Sequence, residues 1–365
     1  MTSSEPRSLL AAALPVAAIA TFVLFVGATL AVAGETLGFD YLAYHAAARR
    51  VLDGQQLYDM AFEAIQGWGL FYYPPVFLPF ILPFGLLDPT VATWVWIAIG
   101  LVAFFVGVAI LPVSRTIRWI VILLAALSWP FVYAVKLGQV GPLLFLTFAI
   151  GWRWIDDPGR LGLSAAVGTA IKMQPALILG WAVLTRRWQA VLIGTVALVV
   201  LAIVATLIAG VASWGDLLTL MRQVVEPIRT ERNMTPGAVL FRLGLDPGIA
   251  GLVQILSTVI VLVVVVVAAL RTTAEASYLV AVTASQLLSP VLWDHYAMLL
   301  LLPVAYLLAA GHRWAVLIPL ATATLFINVT PAIVYPICFF VTLFATMATG
   351  WRPAPSLRAA EPSFA

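Results

Sequence analysis

Charge is scarce in this sequence. Asp, Glu, Lys and Arg make up 10% of its 365 residues, against about 25% in an ordinary soluble domain. Apolar residues make up 63%, and the mean hydropathy is +1.06. A water-soluble fold could not hide that much apolar surface, so lipid is the solvent for most of the chain. Cysteine is nearly absent. Cys338 stands alone in an apolar run, which excludes an internal disulfide and a thiolate metal cluster. The net charge is only +3, with arginines single or paired and no basic tract, which argues against nucleic-acid binding. There is no P-loop, no HExxH and no Ser/His/Asp triad pattern, nor a carboxylate pair at metal-site spacing on one helix. Any catalyst must therefore be assembled from residues far apart in the chain. Lysine occurs only at Lys136 and Lys172.

What the sequence has is long apolar runs. Segments near 9–33, 89–112, 118–135, 139–152, 161–171, 175–185, 188–211, 249–270, 275–289, 295–310, 314–328 and 331–349 read as membrane helices. That predicts an all-α polytopic membrane protein of about twelve spans, each needing roughly 20 apolar residues or fewer where a helix is broken. Residues 1–350 read as one transmembrane domain and 351–365 as a cytoplasmic tail. The run from Leu9 to Ala33 exceeds the roughly 7–15 residues of a signal-peptide core, so a retained anchor is expected.

Arginines mark one face. Arg115, Arg118, Arg153, Arg160, Arg186, Arg187, Arg271, Arg313, Arg352 and Arg358 fall, on this count, on the side of Arg7 and the N-terminus. The positive-inside rule makes that side cytoplasmic and puts both termini there. The opposite face collects the loop 34–88, Lys136–Gln139, the step Lys172–Pro175, the loop 212–248 and the segment 289–295. In the first of these, Asp40–Leu52 repeats Tyr41, Tyr44, Ala48 and Val51 at helical spacing and ends before Gly54. It reads as an amphipathic helix in the interface plane with its tyrosines among headgroups. Pro79 and Pro83 make 76–87 a poor straight span, so a short or re-entrant helix is expected there.

Several outer residues could carry chemistry. Asp40 follows the first span; it could be a general base or a helix N-cap. Lys172 lies between two apolar runs, where a cation is either a phosphate partner or a snorkelling side chain. Gln139 could hydrogen-bond a sugar hydroxyl or close a helix end. Asp294-His295 could bind a ligand, or the acid could cap a helix beside an interfacial imidazole. Arg222, Arg229, Arg232 and Arg242 surround the second large loop, as phosphate clamps or as a solvated, charge-balanced surface. A transporter or flippase is an alternative, since broken helices would suit one, although no inverted repeat is visible. A non-catalytic scaffold is a third reading, one that leaves the outward clustering of Asp40, Lys172 and His295 without a purpose.

Read in order, the motifs are Phe39-Asp40, Asp53-Gly54 with Leu57-Tyr58-Asp59, Tyr72-Tyr73-Pro74-Pro75, Gly138-Gln139, Ile171-Lys172-Met173-Gln174-Pro175, and Ser289-Pro290 with Trp293-Asp294-His295. Over about residues 35–300 this order resembles the polyprenyl-phosphate-dependent GT-C glycosyltransferases, most closely glycosyltransferase family 87, which includes mycobacterial mannosyltransferases. The resemblance implies an inverting enzyme in the cell membrane, acting extracytoplasmically. Its donor would be a sugar, mannose first, on polyprenyl phosphate, with no cofactor and no metal. The acceptor would be a glycolipid or glycan. It casts Asp40 as base. Lys172, His295, Arg232 and Arg229 would steady the departing lipid phosphate. Gln139, Asp294, Tyr44, Tyr73 and Trp293 would contact sugar or acceptor. The usual lysine–proline step is stretched here to Lys172-Met173-Gln174-Pro175.

Overall fold

The computed structural model describes residues 5–61, 69–224 and 226–352, with side chains from residue 13 onward except at 223 and 224. The side chain of Arg7, the whole of Arg358 and nearly all of the expected tail 351–365 lie outside that description. Among the described residues the structure is helical, with two isolated bridges in place of strands. The chain is an all-α, multi-pass membrane protein.

The helices used below are α1 (Glu5–Phe22, continued by a π turn and Ala28–Ala31), α2 (Phe39–Leu52), α3 (Pro89–Ile110), α4 (Arg115–Leu127), α5 (Trp129–Leu137), α6 (Gly141–Arg153), α7 (Pro158–Ile171) and α8 (Ala176–Leu184). They continue with α9 (Trp188–Ala209), α10 (Ala212–Val224), α11 (Pro236–Arg242), α12 (Pro247–Arg271), α13 (Ala274–Leu287), α14 (Leu301–Ala309) and α15 (Val334–Thr349). Four are long and apolar enough to cross a membrane alone: Ala13–Ala31 within α1, α3, α9 and α12. A fifth span results if α5 and α6, bent by 117° at their junction, count as one. The other expected spans fall on shorter helices. Proline and glycine interrupt these, and non-helical backbone is tolerated at membrane depth only where protein encloses it.

The core shows that enclosure. One cluster of buried side chains runs from Ala18 to Leu343. Every residue of α13 from Ala276 to Leu287 is buried, Ser277, Thr283, Ser285 and Gln286 included, so the helix is packed on every side. Phe104 anchors the N-terminal part, with its ring 4.3 Å from Phe131 and 5.0 Å from Phe145. Small residues allow the closest approaches. A Cβ on Gly162 of α7 would stand 2.5 Å from the Ala190 carbonyl of α9.

Of the expectations about loop 34–88, the one about the tyrosines needs adjustment. The segment 76–87 does form short helical turns, Pro75–Phe77, Leu78–Ile81 and Leu82–Leu86. The helix α2 forms as expected, but its tyrosines do not face headgroups. Tyr41 and Tyr44 are fully buried; Tyr41 stacks on Trp96 at 5.3 Å, and Tyr44 meets Phe77 edge-on at 5.6 Å. The aromatic faces of α3 and of segment 71–77 offer more contact than an interface would.

Candidate active site

The site begins with two left-handed glycines. Gly38 (φ 68°) stands at the N-cap of α2, so Asp40 falls in the first turn and its carboxylate is not spent on capping. Gly138 (φ 65°) ends α5 and, with Pro142 inside the next helix, produces the sharp corner into α6. The Gly38 amide donates to the Lys136 carbonyl at 2.8 Å, and Trp96 Nε1 donates to the Gly138 carbonyl at 2.9 Å. A Cβ on Gly138 would lie 2.6 Å from Tyr41 Cβ, so only glycine fits between α5 and α2. These contacts bring Gln139 onto Asp40: Gln139 Nε2 donates to Asp40 Oδ2. Gln139 Oε1 faces the hydroxyls of Tyr73 at 3.2 Å and Tyr44 at 3.3 Å, which are 2.6 Å from each other.

Beside this network runs a cavity of about 410 Å³. Asp40, Tyr44, Tyr73, Gln139, Lys172, Arg232, Trp293, Asp294 and His295 all line it. They arrive from α2, segment 69–74, the α5–α6 corner, the step after α7, the loop before α11 and the segment before α14. Arg229 does not line it. Its Nε pairs with Glu226 at 3.4 Å on an exposed surface, an i,i+3 pair that solvent already satisfies.

Lys172 leaves α7 with extended backbone (φ −153°). Its Nζ lies 3.9 Å from the centroid of the Tyr296 ring and 5.5 Å from that of Tyr73. Burial pushes the ammonium down from its usual range to about 7, against the attraction of Asp40. Arg232 adopts a left-handed backbone (φ 58°), unusual for a side-chain-bearing residue, and donates from Nη1 to Tyr133 Oη at 2.6 Å. Burial works against ionising Asp294, yet the adjacent His295 imidazole and backbone amide, with Arg232, hold its carboxyl below the usual carboxylate range. His295 Nδ1 stands 3.5 Å from Asp294 Oδ1. Both ring nitrogens are buried without a hydrogen-bond partner among the described residues.

Some participants carried no signal in the sequence. Tyr133 and Tyr296 are not among the candidate residues above, yet they carry the rings beside Arg232 and Lys172. Gln174 and Ser289 stood inside quoted motifs without a role; Gln174 Nε2 donates to Ser289 Oγ at 3.0 Å, which closes one cavity wall. Asn233 is fully buried and uses its whole amide. Nδ2 donates to the carbonyls of Pro227 (2.7 Å) and Pro290 (3.1 Å), and Oδ1 accepts from the amides of Thr235 (3.0 Å) and Leu292 (2.9 Å). It fixes the Arg232 loop to the Asp294 segment. Among the described residues no three His, Cys, Asp or Glu side chains group as a metal centre would need.

An all-helical, multi-pass membrane protein whose separate loops bring charged and polar side chains into one largely apolar cavity is the class that fold and site define. Residues 71–292 match the model of glycosyltransferase family 87, and the chain belongs to that family. It is therefore a membrane glycosyltransferase, and specifically a hexosyltransferase. It is similar to the polyprenol-phosphate-mannose-dependent alpha-(1-2)-phosphatidylinositol mannoside mannosyltransferase of Mycobacterium tuberculosis, at 25% identity over 304 residues, covering 74% of this chain and 70% of that protein. No solved structure matches the chain. Asp40, Asp294 and His295 flank the family-matched range.

Proposed function

We propose that this protein transfers a sugar, mannose first among candidates, from a polyprenyl-phosphate donor to a lipid-linked or glycan acceptor, with inversion, on the extracytoplasmic face. One observation carries the reading: two carboxylates and three potential cations, from segments distant in sequence, line a single cavity. Asp40 accepts the proton of the attacking acceptor hydroxyl. As the glycosidic bond to the lipid phosphate breaks, negative charge gathers on the phosphate, and preorganised cations there lower the barrier. Lys172 and Arg232 supply that charge, with His295 adding a proton or a hydrogen bond. Asp294 and Trp293 orient sugar hydroxyls and pack the ring. The donor and acceptor for which the mycobacterial relative is named support the substrate class.

The twelve-span topology belongs to the same reading, with both termini cytoplasmic, residues 34–88 and 212–248 outside, and one domain over residues 1–350. The direct experiment offers purified protein a panel of polyprenyl-phosphate sugars with phosphatidylinositol mannoside, followed by mass spectrometry of the lipids. A mannosylated lipid from wild type and none from Asp40→Asn is the expected result. Full activity in Asp40→Asn would remove Asp40 as base; no product from any donor would remove the donor class.

A further inference from the structure

Asp40, Gln139, Tyr44 and Tyr73 form a closed network at one end of the cavity. We infer that Gln139, Tyr44 and Tyr73 are positioning residues that hold the Asp40 carboxylate in one orientation, rather than residues that grip the sugar. The inference rests on the reading of Asp40 as the base.

Valence alone orients the network. An ionised carboxylate can only accept, so the group Gln139 turns toward Asp40 Oδ2 must be its NH2. The amide oxygen must then face Tyr44 and Tyr73, and it can only accept from them. Two phenols bring two protons to three contacts. The contact between the hydroxyls, at 2.6 Å, is the shortest, so one phenol donates to the other and the second donates to Gln139 Oε1. Burial, acting first, holds both phenols protonated, well above the usual phenol range. The chain therefore runs one way, from tyrosine to tyrosine to amide to Oδ2, and leaves Oδ1 to take the acceptor proton.

The surroundings are rigid. Tyr44 and Tyr73 are buried, their rings 4.8 Å apart, and they pack against Phe77 at 5.6 and 5.1 Å. Gln139 follows the Gly138 corner, which Tyr41 locks. The hydroxyls of Tyr44 and Tyr73 are engaged within the network, which leaves them little capacity for a sugar. The ionisable groups that face Asp40 are Tyr44 on α2, Tyr73 on segment 69–74, Tyr133 on α5, Lys172 on the step after α7 and Tyr296 before α14. Of these only Lys172 brings positive charge, and the variants below leave it untouched.

The test uses Gln139→Met, Gln139→Glu and the double variant Tyr44→Phe/Tyr73→Phe in the full-length protein. Transfer from polyprenyl-phosphate mannose to phosphatidylinositol mannoside is measured for kcat and KM across pH. Difference infrared spectroscopy, with Asp40→Asn as the blank, follows the Asp40 carboxylate in the resting protein. Misplacing a reacting group by about 1 Å can cost about 100-fold. A fall in kcat of about 10- to 100-fold for Gln139→Met, with KM changed less than about twofold, is the expected result. Losing the donated hydrogen bond also shifts the infrared stretching band of the Asp40 carboxylate in Gln139→Met. In Gln139→Glu an ionised side chain has no proton to donate to Asp40, and kcat falls at least as far. The phenylalanine pair lowers kcat less and keeps the fold. A raised KM with unchanged kcat, or a carboxylate infrared band identical to wild type, would overturn the inference. If Asp40→Asn kept full activity, the base reading itself would fall, whatever the Gln139 variants did.

Discussion

Lys172 is the residue on which the acidity of the medium acts most directly. Its ammonium, pushed down to about 7 by burial, is charged below that pH and neutral above it. A sugar-bearing polyprenyl phosphate is a diester with one fixed negative charge, so the pH dependence of its binding reports the protein. Affinity is expected to be level below pH 7 and to fall as pH rises, by up to about tenfold per unit. Lys172→Arg keeps its charge throughout and flattens that profile. Titrating binding of a fluorescent polyprenyl-phosphate sugar between pH 5.5 and pH 9, or about that range, decides the matter. An equal slope in both proteins would remove Lys172 from the phosphate site. Arg229, by contrast, is engaged by Glu226 outside the cavity, and Arg229→Ala should leave transfer within about twofold of wild type.

At the scale of elements, two junctions hold the cavity walls together. Gly138 turns α5 into α6 with φ 65° and no room for a Cβ. Gly138→Ala should lower stability by at least about 1–2 kcal/mol, the cost of the left-handed conformation before the clash with Tyr41 is counted. Thermal unfolding in detergent measures it, and an unchanged midpoint would show that the corner relaxes freely. Asn233 makes four hydrogen bonds, two within the loop before α11 and two that join it to segment 290–292. Asn233→Ala leaves buried backbone groups unpaired, at about 1–3 kcal/mol each. Faster proteolysis within residues 226–235, together with weakened donor binding, is the expected signature, because Arg232 is the neighbour that would drift.

At the scale of the whole molecule, the prediction concerns sidedness. Cysteines placed at Arg115 and Arg160 should be protected from a membrane-impermeant maleimide in intact cells and labelled after permeabilisation. A cysteine at Glu226 should label from outside without it. All three positions are exposed, while the native Cys338 is buried and gives a low background. Labelling of Arg115 and Glu226 positions from the same side would overturn the topology and, with it, the extracytoplasmic site.

How much of this was legible beforehand differs by level. Apolar runs marked nearly every helix, since a run long enough to need lipid declares itself by composition. How many of those helices cross the membrane unaided was not legible, because breaks at proline and glycine depend on neighbours that satisfy the backbone. Residues that later line the cavity were identifiable where a polar side chain interrupted an apolar run, as at Asp40, Gln139, Lys172 and Asp294-His295. Asn233 and Tyr133 gave no such signal, because a polar residue in a polar loop and an aromatic near an interface are both ordinary.

The order of residues alone determined that this chain lives in lipid, that it is helical, and that its unusual polar groups stand at helix ends, since these follow from hydrophobicity summed along the chain. Only tertiary structure decided that Gln139 would meet Asp40, that Tyr41 and Tyr44 would turn inward and that Arg229 would stay outside. Those outcomes depend on packing between segments up to about a hundred residues apart, where the fit of one side chain against another sets which contacts form.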